Sequence, residues 1–156
     1  MKTIFLVRHG KADEPWDYES DFERPLIRKG KLAVIELGKV LRKEALIPEL
    51  IVASPALRTA QTARLLAEIL GLDPDEICYE AGLYPGSLPH YRESILKWSA
   101  EANGVMLVGH NPILEQLAAG LSNYRISGLP TSGCAVFEWS ELLLHEQCSL
   151  RFHYLK

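Results

Sequence analysis

The fold of this chain is indicated first by residues 2–10, which read Lys2-Thr3-Ile4-Phe5-Leu6-Val7-Arg8-His9-Gly10. A short and continuously apolar run is typical of a parallel strand that is buried on both faces of a sheet. The run ends at a guanidinium and an imidazole, and a glycine follows them. The pattern therefore predicts a buried strand over 2–8 whose carboxyl end carries two chemically active side chains.

Two more apolar runs end in the same way. Residues 50–53 precede Ser54-Pro55-Ala56-Leu57-Arg58, and residues 104–108 precede Gly109-His110-Asn111-Pro112. Segments with helical spacing lie between the runs, and this alternation predicts an α/β sandwich. Ligands bind at the carboxyl ends of strands in open α/β sheets, so we expect these polar ends to form one pocket.

The remaining pattern places helices and further strands around these three runs. Ser54 and Asn111 are expected to cap two helices, with Pro55 and Pro112 at the first helical positions. Gly71 is expected to end the helix that follows Ser54. The predicted helices are Leu26 to about Leu46, 55–70, His90 to about Ala102 and 112–120, and the predicted further strands are 77–79, 134–139 and 148–155.

The composition is that of an ordinary globular protein of 156 residues, with 47% apolar and 24% charged residues. We expect one domain over 1–156. A net charge of -3 argues against general nucleic-acid binding. The apolar run before Arg8 is too short for a signal peptide or a membrane span, so no membrane partner is expected. Three cysteines without a metal-type spacing indicate reduced thiols and a cytoplasmic location.

The polar residues at the three strand ends suit phosphoryl transfer. His9 is the candidate nucleophile, since a neutral imidazole nitrogen can accept a phosphoryl group. Arg8 and Arg58 would grip phosphate oxygens with charge-assisted hydrogen bonds. His110 would donate a hydrogen bond to an oxygen of the transition state. Gly10 would let the backbone pass close to the phosphate.

The combined motifs resemble those of the histidine phosphatase superfamily, which includes the cofactor-dependent phosphoglycerate mutases and many acid phosphatases. The matching residues are Arg8-His9-Gly10, Ser54-Pro55 with Arg58, Ala60, Gln61 and Thr62, and Gly109-His110. Further features are similar to the compact phosphohistidine phosphatase branch of SixA type, namely Arg24-Pro25-Leu26 before Gly30, Asn111-Pro112 after His110, and Leu129-Pro130-Thr131-Ser132.

The resemblance implies a three-layer α/β/α sandwich of phosphoglycerate mutase-like type with a mostly parallel central sheet. It implies that Arg8, His9, Arg58 and His110 form the phosphate pocket and that His9 is transiently phosphorylated. No metal and no organic cofactor are implied. The expected substrates are phosphohistidine in a protein or a small phosphomonoester, and we expect a monomer.

One position departs from the family pattern, and the proton donor of the family has only a candidate residue here. Ile27 stands where a Ser or Thr often follows Arg-Pro-Leu, so a contact from that hydroxyl is missing. Glu80 is the best-placed candidate for the carboxylic acid that protonates the leaving oxygen, and the alternative is a surface carboxylate at a strand end.

Two further features keep alternatives open. Arg24 either helps to bind substrate or pairs with a nearby Asp. The acidic loop over 11–25 is either a lid, with Trp16 or Phe22 as its gate, or a solvated loop.

Two other functions remain open at this level. A phosphomutase of the same superfamily would need an enclosed site that excludes water, and the chain has little inserted sequence to build one. A non-catalytic module that binds phosphate or a phosphopeptide would need the arginines alone, so the presence of His9 argues against it.

Overall fold

The computed structural model describes residues 1–139 and 148–156. Its centre is a six-stranded sheet with the strand order β3-β2-β4-β1-β5-β6. The four strands β3, β2, β4 and β1 are parallel, and β5 and β6 close the sheet by antiparallel pairing. The strands are β1 (Lys2–Arg8), β2 (Leu50–Ala53), β3 (Cys78–Tyr79), β4 (Gly104–Gly109), β5 (Cys134–Trp139) and β6 (Ser149–Tyr154).

The predicted strands are confirmed within one or two residues. The β4 strand is buried along its whole length and lies between β1 and β2, with Arg8 level with Gly109 and Ala53 level with Val108. On the edge strand β6 the expected alternation is present, since Arg151 and His153 are exposed while Leu150, Phe152 and Tyr154 are half-buried.

Among the described residues, four α-helices cover the sheet: α1 (Arg28–Lys43), α2 (Leu57–Leu70), α3 (Leu88–Ser99) and α4 (Ile113–Leu121). One apolar core packs α1 and α2 against one face, through residues such as Leu37 and Leu66. A second core packs α3 and α4 against the other face, through residues such as Ile95 and Leu117. The three-layer sandwich with a mostly parallel sheet is therefore confirmed.

Helix ends follow the sequence signals in some places. Gly71 ends α2 with a left-handed φ of 77°, as predicted. The α3 helix begins earlier than predicted, because the hydroxyl of Ser87 accepts a hydrogen bond from the backbone N–H of His90 and caps the helix. Ile27 caps α1 with its backbone alone, in keeping with the missing hydroxyl at this position.

The two predicted N-caps at the pocket are wrong. The cap of α2 is Ala56, and Ser54 lies two residues earlier, where its hydroxyl contacts a histidine instead. The cap of α4 is Pro112, while the Asn111 side chain accepts a hydrogen bond from the backbone N–H of Glu115. In both cases the chain makes an extra turn between strand and helix, and this turn holds the polar residue at the sheet edge.

The loop over 11–25 is tied to the body of the protein. Ala12 forms an isolated antiparallel bridge with Leu26, and short 3₁₀ turns cover Pro15–Asp17 and Asp21–Glu23. Trp16 is 77% exposed, so it does not close over the pocket. Phe22 packs edge-on against Tyr84, with 5.1 Å between ring centroids. No helix among the described residues is both long enough and apolar enough to cross a membrane.

Candidate active site

A pocket of about 440 Å³ opens at the carboxyl ends of β1, β2 and β4. The described residues that line it include four cationic side chains, two imidazoles and one carboxylate. They are Arg8, Lys11, Arg24 and Arg58, His9 and His110, and Asp21, together with Ala12, Tyr84, Pro85, Asn111 and Thr131. Such an excess of positive charge favours a small anion.

His9 lies at the floor of the pocket and is only 9% exposed. Its backbone N–H donates to the carbonyl of Gly109 on the neighbouring strand, at 3.2 Å. Its ring Nδ1 lies 2.7 Å from the carbonyl oxygen of Gly10, which can only accept, so Nδ1 carries the proton. The lone pair of the neutral ring is therefore on Nε2.

Burial holds His9 in this neutral form. It lowers the pKa of His9 to about 4, and the nearby charges of Arg58, Arg8 and Arg24 act in the same direction. The hydrogen bond to Gly10 opposes them but does not outweigh them. At neutral pH the Nε2 atom is thus available as a nucleophile.

Gly10 has a different role from the expected phosphate contact. Its backbone N–H donates to the hydroxyl of Thr62 at 3.0 Å, and that hydroxyl donates to the carbonyl of Arg58 at 2.8 Å. The N–H is therefore already engaged and does not face a phosphate. A side chain here would also collide with α1, since an added Cβ would lie 2.8 Å from a methyl group of Val34. Gly10 is needed for close packing and for orienting His9.

Arg58 lies in the first turn of α2, as predicted, and is 5% exposed. Its Nη1 donates to the backbone carbonyl of Asp21 at 2.7 Å, and its Nη2 donates to the Asp21 carboxylate at 2.9 Å. Nη2 also lies 3.5 Å from Nδ1 of His110. The terminal nitrogens of this buried guanidinium are thus occupied by Asp21.

Arg8 reaches the pocket from the end of β1. Its Nη1 donates to the carbonyl of Leu129 at 3.3 Å, and burial lowers the pKa of the guanidinium. Among the contacts of the described residues, the buried Nε atoms of Arg8 and Arg58 have no acceptor. Each guanidinium group therefore keeps one buried N–H without a partner among the described residues.

His110 follows β4 and is 7% exposed. Its Nε2 lies 2.8 Å from the hydroxyl oxygen of Ser54, and its backbone N–H donates to the phenol oxygen of Tyr91 at 3.1 Å. Its ring lies 5.3 Å from that of His9, centroid to centroid. Burial, followed by the neighbouring His9 and Arg58, lowers the pKa of His110 to about 3.

Asp21 is a pocket residue that the sequence analysis did not single out. Its carboxylate accepts hydrogen bonds from Arg58, from Arg24 at 2.8 Å and from the phenol of Tyr84 at 2.8 Å. Burial alone would raise the pKa of Asp21, but the bonds from Tyr84, Arg24 and Arg58 outweigh it and lower the pKa to about 2. In the sequence, Asp21 lies three residues before Arg24, and this spacing could have indicated Asp21 as the partner of that arginine.

The structure places the two remaining candidates differently. Arg24 lines the pocket and also pairs with Asp21, so both of its expected roles are compatible with its position. Glu80 does not line the pocket. Its carboxylate instead accepts hydrogen bonds from the indole of Trp98 and from Lys97, on the side of α3. The expectation that Glu80 is placed to protonate a leaving group is therefore not met by this geometry.

The other histidines and the cysteines lie away from this pocket. His90 and His153 are exposed and do not line it, and His145 lies outside the described residues. The three cysteines are free, and Cys134 is fully buried in the core. Within 1–139 and 148–156, no group of three or more His, Cys, Asp or Glu side chains has the arrangement of a metal site.

Comparison with known proteins agrees with this geometry. The family model of the histidine phosphatase superfamily, branch 1, matches residues 4–81, which contain β1, the Arg8-His9-Gly10 motif and Arg58. The chain belongs to the histidine phosphatase superfamily. A relative from Picosynechococcus is 35% identical over 122 residues, which are 76% of this chain and 72% of that protein. A chloroplastic protein of Arabidopsis thaliana is 27% identical over 147 residues, 88% of this chain and 66% of that protein. Neither relative has a characterised function.

Solved structures of histidine phosphatases share the fold over nearly the whole chain. A candidate phosphohistidine phosphatase SixA from Agrobacterium tumefaciens matches with a TM-score of 0.83 and 28% identity, over 98% of this chain and 97% of that one. A protein histidine phosphatase SixA in complex with tungstate matches with a TM-score of 0.83 and 23% identity, over 97% and 95%. A mycobacterial glucosyl-3-phosphoglycerate phosphatase matches with a TM-score of 0.68 and 18% identity, over 96% and 97%. Together the comparisons support a phosphatase of the SixA-type branch.

Proposed function

We propose that this chain is a phosphatase that works through a phosphohistidine intermediate on His9 and acts on phosphohistidine in a protein or on a small phosphomonoester. The observation that carries the proposal is the tautomer of His9, whose Nδ1 proton is held by the Gly10 carbonyl at 2.7 Å. This bond directs the Nε2 lone pair away from the backbone, as in-line attack on phosphorus requires.

In the first step, Nε2 of His9 forms a bond to phosphorus while the bond from phosphorus to the leaving group breaks. The guanidinium groups of Arg8 and Arg58 neutralise the phosphoryl oxygens, and His110 donates a hydrogen bond to one of them. In the second step, water attacks phosphorus, inorganic phosphate leaves, and Nε2 recovers its lone pair. No step of this scheme requires a metal ion.

The rim of the pocket is exposed to solvent, which suits a protein substrate. Its buried floor carries the two histidines and Arg58, while its rim carries Asp21, whose side chain is 46% exposed. A substrate can therefore place its phosphoryl group on the floor while the rest of a bulky molecule stays in solvent. Similarity to solved SixA proteins supports phosphohistidine as the substrate class.

The test is turnover of a phosphohistidine protein and of p-nitrophenyl phosphate by the purified full chain, with and without EDTA. The enzyme should release phosphate from at least one of them under both conditions. Acid-labile phosphate on His9, detected by mass spectrometry after rapid quenching, should accumulate during turnover. His9→Gln should abolish both signals, while the exposed control His153→Gln should leave them intact.

The same variant separates catalysis from mere binding. His9→Gln should still bind tungstate, because the arginines remain. Full activity in His9→Gln, or turnover without any phosphate on His9, would contradict the proposal.

A further inference from the structure

Asp21 binds both terminal nitrogens of Arg58, which a phosphoryl group would also use. Arg58 uses Nη1 and Nη2 for the carbonyl and the carboxylate of Asp21, at 2.7 and 2.9 Å. Phosphate oxygens bind guanidinium groups through these same terminal nitrogens. An anion belonging to the chain itself therefore competes with a substrate anion for Arg58.

The Asp21 carboxylate is held by other residues besides Arg58. Three separate donors hold its carboxylate: Arg58, Arg24 and the phenol of Tyr84. The Tyr84 ring in turn packs against His110, with 5.5 Å between centroids, and lies 5.9 Å from the Arg58 guanidinium carbon. This set of contacts fixes a negative charge at the rim of a pocket whose floor is positive.

An incoming phosphoryl group changes the partners of this carboxylate. A dianion on Arg58 repels the carboxylate and replaces it, since two anions cannot share one guanidinium edge at close range. The bonds to Tyr84 and Arg24 still hold Asp21 at the rim. A leaving group that points from the buried floor toward solvent must pass this rim.

We propose that Asp21 is a specificity-determining residue. Its carboxylate dissociates from Arg58 when the phosphoryl group binds there, and it then interacts with a positively charged leaving group. The inference rests on the proposed phosphatase function and adds to it a preference for phosphoimidazole-type substrates. Such a ring carries a proton on its second nitrogen, and this N–H can donate to the carboxylate of Asp21.

The bond changes agree with this preference. As Nε2 of His9 bonds to phosphorus, the bond from phosphorus to the substrate ring nitrogen breaks and its electron pair stays on the ring. The ring loses its positive charge and departs as neutral imidazole, so no acid has to supply a proton. The ring is still partly positive in the transition state, and a nearby carboxylate therefore raises kcat/KM for it. A nitrophenolate leaving group becomes negative instead and is disfavoured by the same carboxylate.

Asp21→Asn is the decisive variant, and Glu23→Gln is its matched control. Both remove one negative charge from the same 3₁₀ turn, but Glu23 is exposed and does not line the pocket. Tungstate affinity is measured by calorimetry, and kcat/KM is measured for phosphoimidazole and for p-nitrophenyl phosphate. Thermal denaturation shows whether each variant is folded.

Asp21→Asn should bind tungstate roughly tenfold more tightly, because the competing carboxylate is gone. Its ratio of kcat/KM, phosphoimidazole over p-nitrophenyl phosphate, should fall roughly tenfold. Tyr84→Phe, which loses only the phenol donor, should change both quantities in the same directions by smaller factors. Glu23→Gln should change neither.

The competition of Asp21 for Arg58 and its role in leaving-group selection are tested separately. Unchanged or weaker tungstate binding by Asp21→Asn would overturn the competition for Arg58. An unchanged substrate ratio would overturn the role in leaving-group selection. Failure of the wild-type chain to turn over either substrate would overturn the proposed function and with it the leaving-group role, while tungstate binding would still decide the competition for Arg58.

Discussion

The hydroxyl oxygen of Ser54 lies 2.8 Å from Nε2 of His110, and both residues are buried. Nδ1 of His110 faces Nη2 of Arg58, which can only donate, so the ring proton lies on Nε2 and points to Ser54. A hydroxyl can also donate. When an oxyanion takes Arg58, the ring proton of His110 can move from Nε2 to Nδ1 and face the phosphate, and the Ser54 hydroxyl then donates a hydrogen bond to the lone pair on Nε2.

Ser54→Ala should therefore lower kcat by roughly tenfold, because the tautomer of His110 is no longer set by a partner on Nε2. The change in kcat should exceed any change in KM. The ¹⁵N shifts of the His110 ring, measured with and without tungstate, should show a tautomer exchange in the wild type that is lost in the variant. Identical ring shifts in both proteins would contradict this role.

Thr62 links His9 to α2 through the backbone of Gly10. Thr62→Val keeps the shape but leaves the buried N–H of Gly10 without an acceptor, so the free energy of unfolding should fall by about 1–3 kcal/mol. The kcat should fall as well, because the Gly10 carbonyl orients His9. Urea denaturation and steady-state kinetics measure the two effects.

Thr59→Val is the control for the loss of a buried hydroxyl. The Thr59 hydroxyl shares its proton between the carbonyls of Ser54 and Ala56. Gly10 donates its N–H to Thr62 and not to Thr59. We expect a smaller loss of kcat than in Thr62→Val. An equal loss in the two variants would show that α2 as a whole, and not the link to Gly10, is responsible.

Gly109 leaves room for the phenol that holds His110. A Cβ at Gly109 would lie 2.6 Å from the hydroxyl oxygen of Tyr91, which is fully buried and donates to the carbonyl of Leu83. Gly109→Ala should lower the free energy of unfolding by about 1–3 kcal/mol and reduce activity, since Tyr91 must shift. Thermal melts and kinetics give both values.

Gly120→Ala provides the comparison. It lies in α4 with nothing within 4 Å of an added Cβ. This variant should be more stable than the wild type by about 0.5–1 kcal/mol because alanine favours helix. A destabilised Gly120→Ala would show that helix propensity does not govern this position.

Stability should depend on pH through the two buried histidines. Their folded pKa values are about 4 for His9 and about 3 for His110, against 6.5 for an ordinary histidine. Between pH 6.5 and 4 the unfolded chain binds these protons and the folded chain does not, so the free energy of unfolding falls as the pH falls. Each histidine contributes about 2.5 kcal/mol by pH 4.5, so the total fall should be on the order of 5 kcal/mol.

The double variant His9→Asn/His110→Asn should flatten this dependence. Denaturant unfolding at several pH values between 7 and 4.5 measures it for both proteins. If the two profiles are parallel, other groups control the stability in this range. Tungstate should also flatten the wild-type profile, because a bound anion stabilises the protonated rings.

Glu80→Gln tests the proton donor that the sequence suggested. The carboxylate is held by Trp98 and Lys97 away from the pocket, so kcat should stay within roughly twofold of the wild type on p-nitrophenyl phosphate. A general acid contributes roughly a hundredfold or more. A loss of that size would restore Glu80 as the acid and would require α3 to move during turnover.

The sequence alone predicted the strands of the sheet and the residues that meet at the floor of the pocket. Apolar runs that end in polar residues mark buried parallel strands, and parallel strands of one sheet end at a common edge. The positions of Arg8, His9, Arg58 and His110 at this edge follow from that rule. Their place in the chain thus predicted their convergence, although their catalytic roles stay predictions.

Tertiary structure decided the contacts that cross between distant segments. Ser54 is a residue type that often caps helices, yet its hydroxyl contacts the His110 ring, because β2 and β4 are neighbours in the sheet. Asp21 lies 37 residues from Arg58 and binds it across the pocket. The local sequence pattern predicts helices, strands and caps. The partner of a polar side chain depends instead on which of these elements pack together. For that reason the floor of the pocket could be predicted from the sequence, and the carboxylate at its rim could not.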